Sequence, residues 1–309
     1  MNNAPTANPP YLYRAYGLNI ESEIAFPEME IGQGQADVMI QLASGLPREL
    51  PEPARCGWRF QARPSQVLLT TTQTYTLISD GKRIQTELKA EANIRDVRLL
   101  LLSWGMGALF HQRGILPLHG CAMEVDGGCV VFCAASGVGK STLTMNLLRL
   151  GYHFLDDNVA AVQKENGQPI VHPGLKQLKL LPDTMKNFGL SPEKHEMIHS
   201  NESKYTVILS ENHANRALSL RRIYLLKRSR SNRLQMRELK GQEKAEALQK
   251  QIFHARYIQG LGIAREHYSQ MLWLAGKTQV IEAILPDPRP QPEEIALQLL
   301  EDNARRNKF

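Results

Sequence analysis

One stretch of the sequence decides the fold: Ala134-Ala135-Ser136-Gly137-Val138-Gly139-Lys140-Ser141. It fits the pattern of a phosphate-binding loop, with Ala134 in place of the usual first glycine. Small residues let successive backbone N–H groups turn toward one point, where they bind anionic oxygens. An apolar run, Cys129 to Cys133, precedes the loop, and leucines recur at helical spacing over residues 140–150. This strand–loop–helix context favours phosphate binding over the alternative of a glycine turn that merely caps a helix.

The loop residues have distinct predicted roles. The helix N-terminus that follows the loop offers unpaired N–H groups and a dipole that favours negative charge. Lys140 would reach the β and γ phosphates of ATP, and the Ser141 hydroxyl would coordinate Mg²⁺. Ala134 is compatible with the loop if its backbone angles lie in the β region, as at a strand end. The predicted nucleotide-binding residues are Ser136, Gly137, Val138, Gly139, Lys140, Ser141 and Thr142.

Two adjacent aspartates, Asp156 and Asp157, follow the next apolar run, which begins at Tyr152. In a parallel sheet such a strand end lies beside the phosphates. One carboxylate can then bind the metal while the other accepts a proton from an attacking hydroxyl. Because Asp-Asp-Asn is also turn chemistry, a helix or turn cap is the alternative. His119, on the strand predicted over Leu116–Val125, is either a satisfied core residue or a group that tunes the base carboxylate.

The chain is predicted to form two domains, a β-rich N-terminal domain at residues 1–92 and an α/β domain at residues 93–309. After a loose tail of ten residues, short alternating runs separated by turns such as Asp80-Gly81 predict antiparallel strands. Apolar spacing predicts a helix over residues 94–112. In the second domain we expect two hairpins, Leu116–Val125 with Cys129–Cys133 and Ile223–Lys227 with Leu234–Glu238. Helices at 242–256 and 292–305 would flank a last strand, Gln279–Leu285.

Composition excludes several classes of protein. The chain has 309 residues, a net charge of +6, 42% apolar and 22% charged residues, which are globular values. This charge is too small for a dedicated nucleic-acid binder, so no nucleic-acid partner is expected. The longest apolar run, Leu99 to Phe110, is too short to span a bilayer, so no membrane partner is expected. Four cysteines without a paired motif and a start unlike a signal peptide favour a cytoplasmic protein.

A basic cluster lies between residues 221 and 233. It is predicted to be the solvated end of a hairpin, with a docking surface for an acidic peptide as the alternative. Lys204 and Arg256 are weaker candidates for phosphate contacts. The cluster consists of Arg221, Arg222, Lys227, Arg228, Arg230 and Arg233.

Three stretches together resemble the HPr kinase/phosphorylase family: residues 136–141, Gly151 to Asp157, and Leu118-His119-Gly120. The loop of that family reads GDSGVGKS, and a double aspartate follows it in a similar stretch. The resemblance covers roughly residues 116–165 well and the rest in outline. It implies an HPr-kinase-like variant of the P-loop fold, similar also to phosphoenolpyruvate carboxykinase, behind a small β-rich domain. It also implies that Asp156 is the catalytic base, Asp157 a magnesium-site residue and His119 the partner that adjusts Asp156.

The sequence departs from that family at its second signature, Glu-Ile-Arg-Gly-Leu-Gly, where residues His172 to Leu180 stand instead. HPr is therefore not the expected substrate. The layout looks more like stand-alone HPr-kinase-like proteins, among them lasso-peptide kinases that phosphorylate the C-terminal serine of a precursor peptide. The resemblance thus implies a Mg²⁺-ATP-dependent kinase that acts on a serine-type hydroxyl of a peptide or small protein. It leaves open a homo-oligomer, since HPr kinases assemble as hexamers.

Two other functions remain open. One is a P-loop ATPase or nucleotide-binding switch without a phosphoryl acceptor, for which Arg256 or Arg265 would have to stimulate hydrolysis. The other is a kinase-like binding module that has lost catalysis. The combination of Lys140, Ser141, Asp156 and Asp157 argues against the second of these.

Overall fold

A computed structural model of the chain describes residues 10–51, 55–199, 202–230, 233–287 and 292–307. The chain forms two compact units, one from residues up to 114 together with 254–266 and one from 115–253 together with the residues from 267 onward. This division falls at residues 114/115, whereas the sequence places a domain boundary at 92/93. The predicted tail lies, up to residue 9, outside the described residues. None of the helices in these ranges is long and apolar enough to cross a membrane.

The first unit is built on a β-sheet, as the alternating runs predict, but the sheet is mixed rather than antiparallel, because the strand Val38–Leu42 runs parallel to Leu18–Ser22 and to Arg83–Leu88. Its strands, in the described part of the chain, follow the order β3-β1-β2-β4-β9-β8-β7-β6-β5. The turn between the strands Thr74–Ser79 and Arg83–Leu88 contains Asp80 and Gly81, both with positive φ, which their residue types tolerate. The strands are β1 Tyr11–Ala15, β2 Leu18–Ser22, β3 Glu30–Ile31, β4 Val38–Leu42, β5 Arg55–Gly57, β6 Phe60–Arg63, β7 Gln66–Thr70, β8 Thr74–Ser79 and β9 Arg83–Leu88.

The predicted helix over 94–112 is present as α1 Ile94–Leu100, a π-helical turn Leu101–Gly105 and α2 Met106–Gln112. Asn93 caps it, since its side chain accepts a hydrogen bond from the backbone of Arg95 at 2.9 Å. The helix packs on the sheet of its own unit: the ring centroids of Tyr16 and Phe110 lie 4.9 Å apart. This packing explains why the first unit extends beyond residue 92.

A distant segment, residues 254–266, completes the first unit. The ring of Tyr257 packs edge-on against Phe60, with centroids 5.2 Å apart. Gly260 lies directly against Ala62, where an added Cβ would meet the Ala62 Cβ at 2.6 Å. Arg256 stacks over the ring of Trp104 at 4.1 Å within this unit.

The second unit has α/β architecture, which confirms the predicted fold class. Among its described residues the main sheet has the order β10-β14-β15-β19-β12-β11-β13, and a smaller antiparallel sheet has the order β16-β18-β17. The strands are β10 Leu116–His119, β11 Cys121–Val125, β12 Gly128–Ala134, β13 His153–Asp156, β14 Val159–Glu165, β15 Gln168–Val171, β16 Gln177–Leu180, β17 Glu196–His199, β18 Glu202–Ile208, β19 Leu218–Arg228, β20 Gln235–Glu238 and β21 Gln279–Leu285. The helices are α3 Lys140–Arg149, α4 Pro182–Asn187, α5 Gly241–Gln249, α6 Ala264–Lys277 and α7 Pro292–Arg306, with a 3₁₀ turn at Pro192–Lys194. The first three residues of α6 and the 3₁₀ turn Ala255–Tyr257 belong to the segment 254–266 of the first unit.

The core of this unit fixes the strand that leads into the phosphate loop. Strand β12 is parallel to β19, which is parallel to β21. Helices α3 and α7 bury Leu147 and Leu299 in the core that holds Phe132 and Tyr224, whose rings stack at 5.5 Å. The carboxyl ends of these three parallel strands therefore lie along one edge of the sheet.

The first of the two predicted hairpins is present, since β11 pairs antiparallel with β12 around residues 126–127, but its first strand is shorter than predicted. The predicted strand Leu116–Val125 is divided at Gly120 into β10 and β11, and β10 pairs with β14 instead. Only glycine fits there, because a Cβ would lie 2.8 Å from Val131 and 2.9 Å from the Cys133 Sγ. In the other hairpin the predicted partners β19 and β20 do not pair, because β21 lies between them. Between these two predicted strands, residues 231 and 232 lie outside the described residues.

The basic cluster is not simply a solvated surface. Arg222 is 2% exposed. Its guanidinium donates to the side chain of Gln279 at 2.9 Å and to the backbone of Asn303 at 3.1 Å, so it joins β19 to β21 and α7. Arg228 reaches the phosphate loop, where it donates to the carbonyl of Val138 at 2.7 Å.

Candidate active site

The phosphate loop has the context that the sequence predicts. Strand β12 ends at Ala134, and α3 begins at Lys140. Gly137 and Gly139 adopt φ of 84° and 119°, values that glycine reaches without steric cost. Ala134 lies within the strand, so a glycine is not required at that position. The loop therefore turns directly into the N-terminus of a helix, where anions are favoured.

A cavity of about 650 Å³, called here the phosphate cavity, lies over this loop. It brings together Lys140, Ser141, Asp157 and His119, four of the residues that the sequence predicts for the site. Asp156 does not line it. Lys179, Lys204 and Asp183 also line it; of these the sequence predicted only Lys204, as a weak candidate for a phosphate contact.

Lys140 and Asp157 are in contact across the floor of the cavity. The Lys140 ammonium donates to the backbone carbonyl of Asp157 and lies 3.3 Å from its Oδ1. The other carboxylate oxygen accepts the backbone N–H of Lys179 at 3.1 Å. Burial of Lys140 opposes its charge, but the charge and hydrogen bonding of Asp157 outweigh this, so the pKa of Lys140 is raised. The lysine is therefore held in its charged form beside the loop.

Asp156 makes quite different contacts. The residue is 2% exposed. Its Oδ1 accepts backbone N–H groups from Asn158 at 2.7 Å and Val159 at 2.8 Å, and its Oδ2 accepts that of Leu175 at 2.9 Å. These bonds tie the turn after β13 to the segment that leads into β16. This is the turn chemistry weighed as the alternative for the aspartate pair. The position of Asp156 does not suit the catalytic-base role predicted for it, because its carboxylate faces the backbone rather than the cavity.

His119 faces the cavity from the end of β10. Its backbone N–H donates to the carbonyl of Gln251 at 2.7 Å, and its ring packs edge-on against Phe253. Although the residue is exposed to the cavity, surrounding protein partly desolvates the ring, and this lowers the pKa of His119. The positive charges of Lys140, Lys179 and Lys204 lower it further, against the opposing charge of Asp157. The imidazole is therefore neutral at pH 7, and it is not the core residue weighed as the alternative.

The small sheet supplies Lys179 and Lys204 to the cavity. The sequence did not predict Lys179 and gave Lys204 only as a weak candidate. Lys179 lies opposite Thr206 in the pairing of β16 with β18. Lys204 lies two residues before Thr206, so the two lysines share one face of this sheet. The alternation of residues 177–180 was the available signal for Lys179. Its proximity to Lys140 could not be read from the sequence, since it depends on how the two sheets of this unit pack.

A magnesium ion fits the oxygen donors of the cavity. Ser141 Oγ and the Asp157 carboxylate both line it, and the Ser141 hydroxyl donates to the carbonyl of Lys179 at 3.3 Å. Within the described ranges no group of three or more His, Cys, Asp or Glu side chains is gathered as a metal site. Magnesium is commonly held by one or two protein oxygens with phosphates and water completing its shell. The donor set therefore suits a metal that arrives with a nucleotide.

Comparison with known proteins adds little to this geometry. No protein-family model matches the chain, and no curated protein is significantly similar to it in sequence. Among solved structures, the chain is similar to the Hpr(Ser) kinase/phosphatase from Coxiella burnetii, with 14% sequence identity and a TM-score of 0.33. That match covers 62% of this chain and 97% of the other. Similarity at this level is too low to support an activity or a substrate.

Proposed function

We propose that the protein is a Mg²⁺-ATP-dependent kinase that transfers a phosphoryl group to a serine-type hydroxyl of a peptide or small protein. The observation that carries the proposal is the meeting of Lys140, Ser141, Asp157 and His119 in one cavity over a phosphate loop. The sequence resemblance suggests the C-terminal serine of a lasso precursor peptide as the acceptor.

The loop and its flanking residues bind the nucleotide in this proposal. Backbone N–H groups of residues 136–141 hold the phosphates, and the Lys140 ammonium leaves Asp157 to contact the β and γ phosphates. Ser141 and Asp157 would hold Mg²⁺, which neutralises charge on the transferred phosphoryl group. The contact of Lys140 with Asp157 keeps the lysine in place until a phosphate replaces the carboxylate.

His119 is the group we propose as the proton acceptor, in place of Asp156. As the acceptor oxygen forms its bond to the γ-phosphorus, the bond to the leaving ADP oxygen breaks and the hydroxyl proton passes to the neutral imidazole. A neutral histidine with a lowered pKa is ready to take up that proton at pH 7. Asp156 acts as a positioning residue, because its hydrogen bonds fix the turn that carries Asp157.

Transfer of label from [γ-³²P]ATP to serine peptides encoded near the gene tests the proposal. We expect a phosphoserine product with the wild-type protein and none with Lys140→Ala. Lys250→Ala, an exposed lysine on the same unit, is the matched control and should retain full activity. Release of inorganic phosphate without labelled peptide would favour the ATPase alternative, and no consumption of ATP would contradict both functions.

A further inference from the structure

A second, smaller hollow lies beside the phosphate loop and has a different character. Its walls include Val138, Leu143, Leu285, Pro286 and Ile295, and Arg228 is the one charged side chain among the described residues that line it. It measures about 50 Å³. We call it the apolar recess. The proposed phosphate chemistry makes no use of it.

The apolar recess is continuous with the phosphate cavity. Gly139, Thr142 and Pro292 line both. A ligand whose phosphates rest on the loop can therefore extend into the recess without leaving the protein surface.

The recess also lies on the opposite side of the loop strand from the aspartates. Arg228 and Leu285 face each other at the carboxyl ends of the parallel strands β19 and β21. In the sheet, β19 lies on one side of β12. On the other side of β12 lie β11 and then β13, which leads to Asp157. In open α/β sheets ligands lie across the carboxyl ends of the strands. A nucleotide that places its γ-phosphate near Asp157 would extend its other end toward Arg228 and Leu285.

The chemistry of the recess suits a flat apolar group with a polar edge. Leu285 and Ile295 are 9% and 7% exposed and offer aliphatic contact surface. Arg228 donates through Nη2 to the Val138 carbonyl at 2.7 Å, so its guanidinium is tied to the phosphate loop.

We propose that the apolar recess receives the nucleobase end of the nucleotide, with the base lying beside the Arg228 side chain. This inference rests on the proposed function, since it takes the phosphate cavity as the triphosphate site. Because the recess is small, it can take one edge of the base but not the whole ring system. The base is therefore held mainly by apolar contact with Leu285, Pro286 and Ile295.

Calorimetric titration with Mg²⁺ and either ATP or inorganic tripolyphosphate tests the inference without any substitution. The wild-type protein should bind ATP at least about 10-fold more tightly, because only ATP contacts the recess. Equal affinities for the two ligands would overturn the base site while leaving the phosphate site intact. Binding of neither ligand would overturn the proposed function together with the recess.

Ile295→Phe provides a second arm, because the larger side chain fills the recess without adding charge. It should reduce the affinity for ATP to that for tripolyphosphate and leave tripolyphosphate binding unchanged. Leu272→Phe, at a leucine that is 44% exposed on α6, is the matched control and should bind both ligands as the wild type does. An unchanged affinity of folded Ile295→Phe for ATP would contradict the inference. If the variant does not fold, the wild-type comparison decides alone.

Discussion

Asp156 and Asp157 are adjacent in sequence, yet the Asp156 carboxylate accepts backbone hydrogen bonds while the Asp157 carboxylate lines the phosphate cavity. In Asp156→Asn the amide oxygen can still accept from Asn158 and Val159, but its NH₂ group then meets the N–H of Leu175. A buried donor left facing a donor costs about 1–3 kcal/mol, and we expect the free energy of unfolding to fall by that amount. Urea denaturation measures this directly.

Asp157→Asn is the matched comparison for that variant. Its carboxylate faces the cavity, so the main loss should be Mg²⁺-dependent affinity for ATP, with a smaller change in the free energy of unfolding. Calorimetry with and without EDTA separates the two variants. Equal stability of Asp156→Asn and the wild type, with loss of the catalytic step alone, would restore Asp156 as the base.

The pKa of His119 gives a prediction for the pH dependence of kcat/KM. Because its pKa is lowered, the imidazole of the free protein should stay neutral until the pH falls below the ordinary value of 6.5. The acid limb of kcat/KM should then lie below that pH, since protonated His119 cannot accept a proton. Lys204→Gln removes a positive charge that lowers the pKa of His119, so the pKa should rise and the acid limb should move to higher pH. NMR titration of the imidazole, assigned with His119→Asn, measures the shift. A pKa that does not change, or falls, in Lys204→Gln would contradict this arrangement of charges.

At the scale of single elements, the division of one predicted strand at Gly120 places His119 at the edge of the cavity. Gly120→Ala would force a Cβ to within 2.8 Å of Val131 and 2.9 Å of the Phe132 carbonyl. We expect it to lower the free energy of unfolding by about 1–3 kcal/mol, as overpacking does. Gly276→Ala, at a helical glycine with no neighbour within 4 Å of the added Cβ, should instead be neutral or stabilise by up to about 1 kcal/mol. Similar unfolding midpoints for the two variants would show that Gly120 tolerates a side chain.

Elements determined by residues adjacent in sequence were predictable, and pairings that depend on residues far apart in sequence were not. Strand β12, its loop and helix α3 follow from adjacent residues, and the last strand was predicted at its observed bounds. The pairing of β19 with β21 rather than β20 joins residues 57 positions apart, such as Arg222 and Gln279. No turn motif marks that choice. Helix α6 was not predicted. Its buried residues are His267, Met271 and Leu274, and the histidine weakens the apolar pattern that would indicate a helix.

At the scale of the whole molecule, the sequence predicted that both aspartates lie beside the phosphates, whereas in the structure Asp157 lines the phosphate cavity and Asp156 does not. The order of Asp156 and Asp157 gives no indication of which carboxylate faces the cavity. That is decided by the three backbone N–H groups that hold Asp156, one of which comes from Leu175. The inclusion of residues 254–266 in the first unit is likewise a matter of packing, through contacts such as Gly260 against Ala62.

The most direct test of the central claim is a crystal structure with a non-hydrolysable ATP analogue and Mn²⁺, whose anomalous signal locates the metal. We expect the phosphates on residues 136–141, Lys140 in contact with the γ-phosphate, and the metal on Ser141 Oγ and the Asp157 carboxylate. Asp156 should still accept hydrogen bonds from Asn158, Val159 and Leu175. A triphosphate bound away from this loop, or a metal held by Asp156 in place of Asp157, would contradict the account.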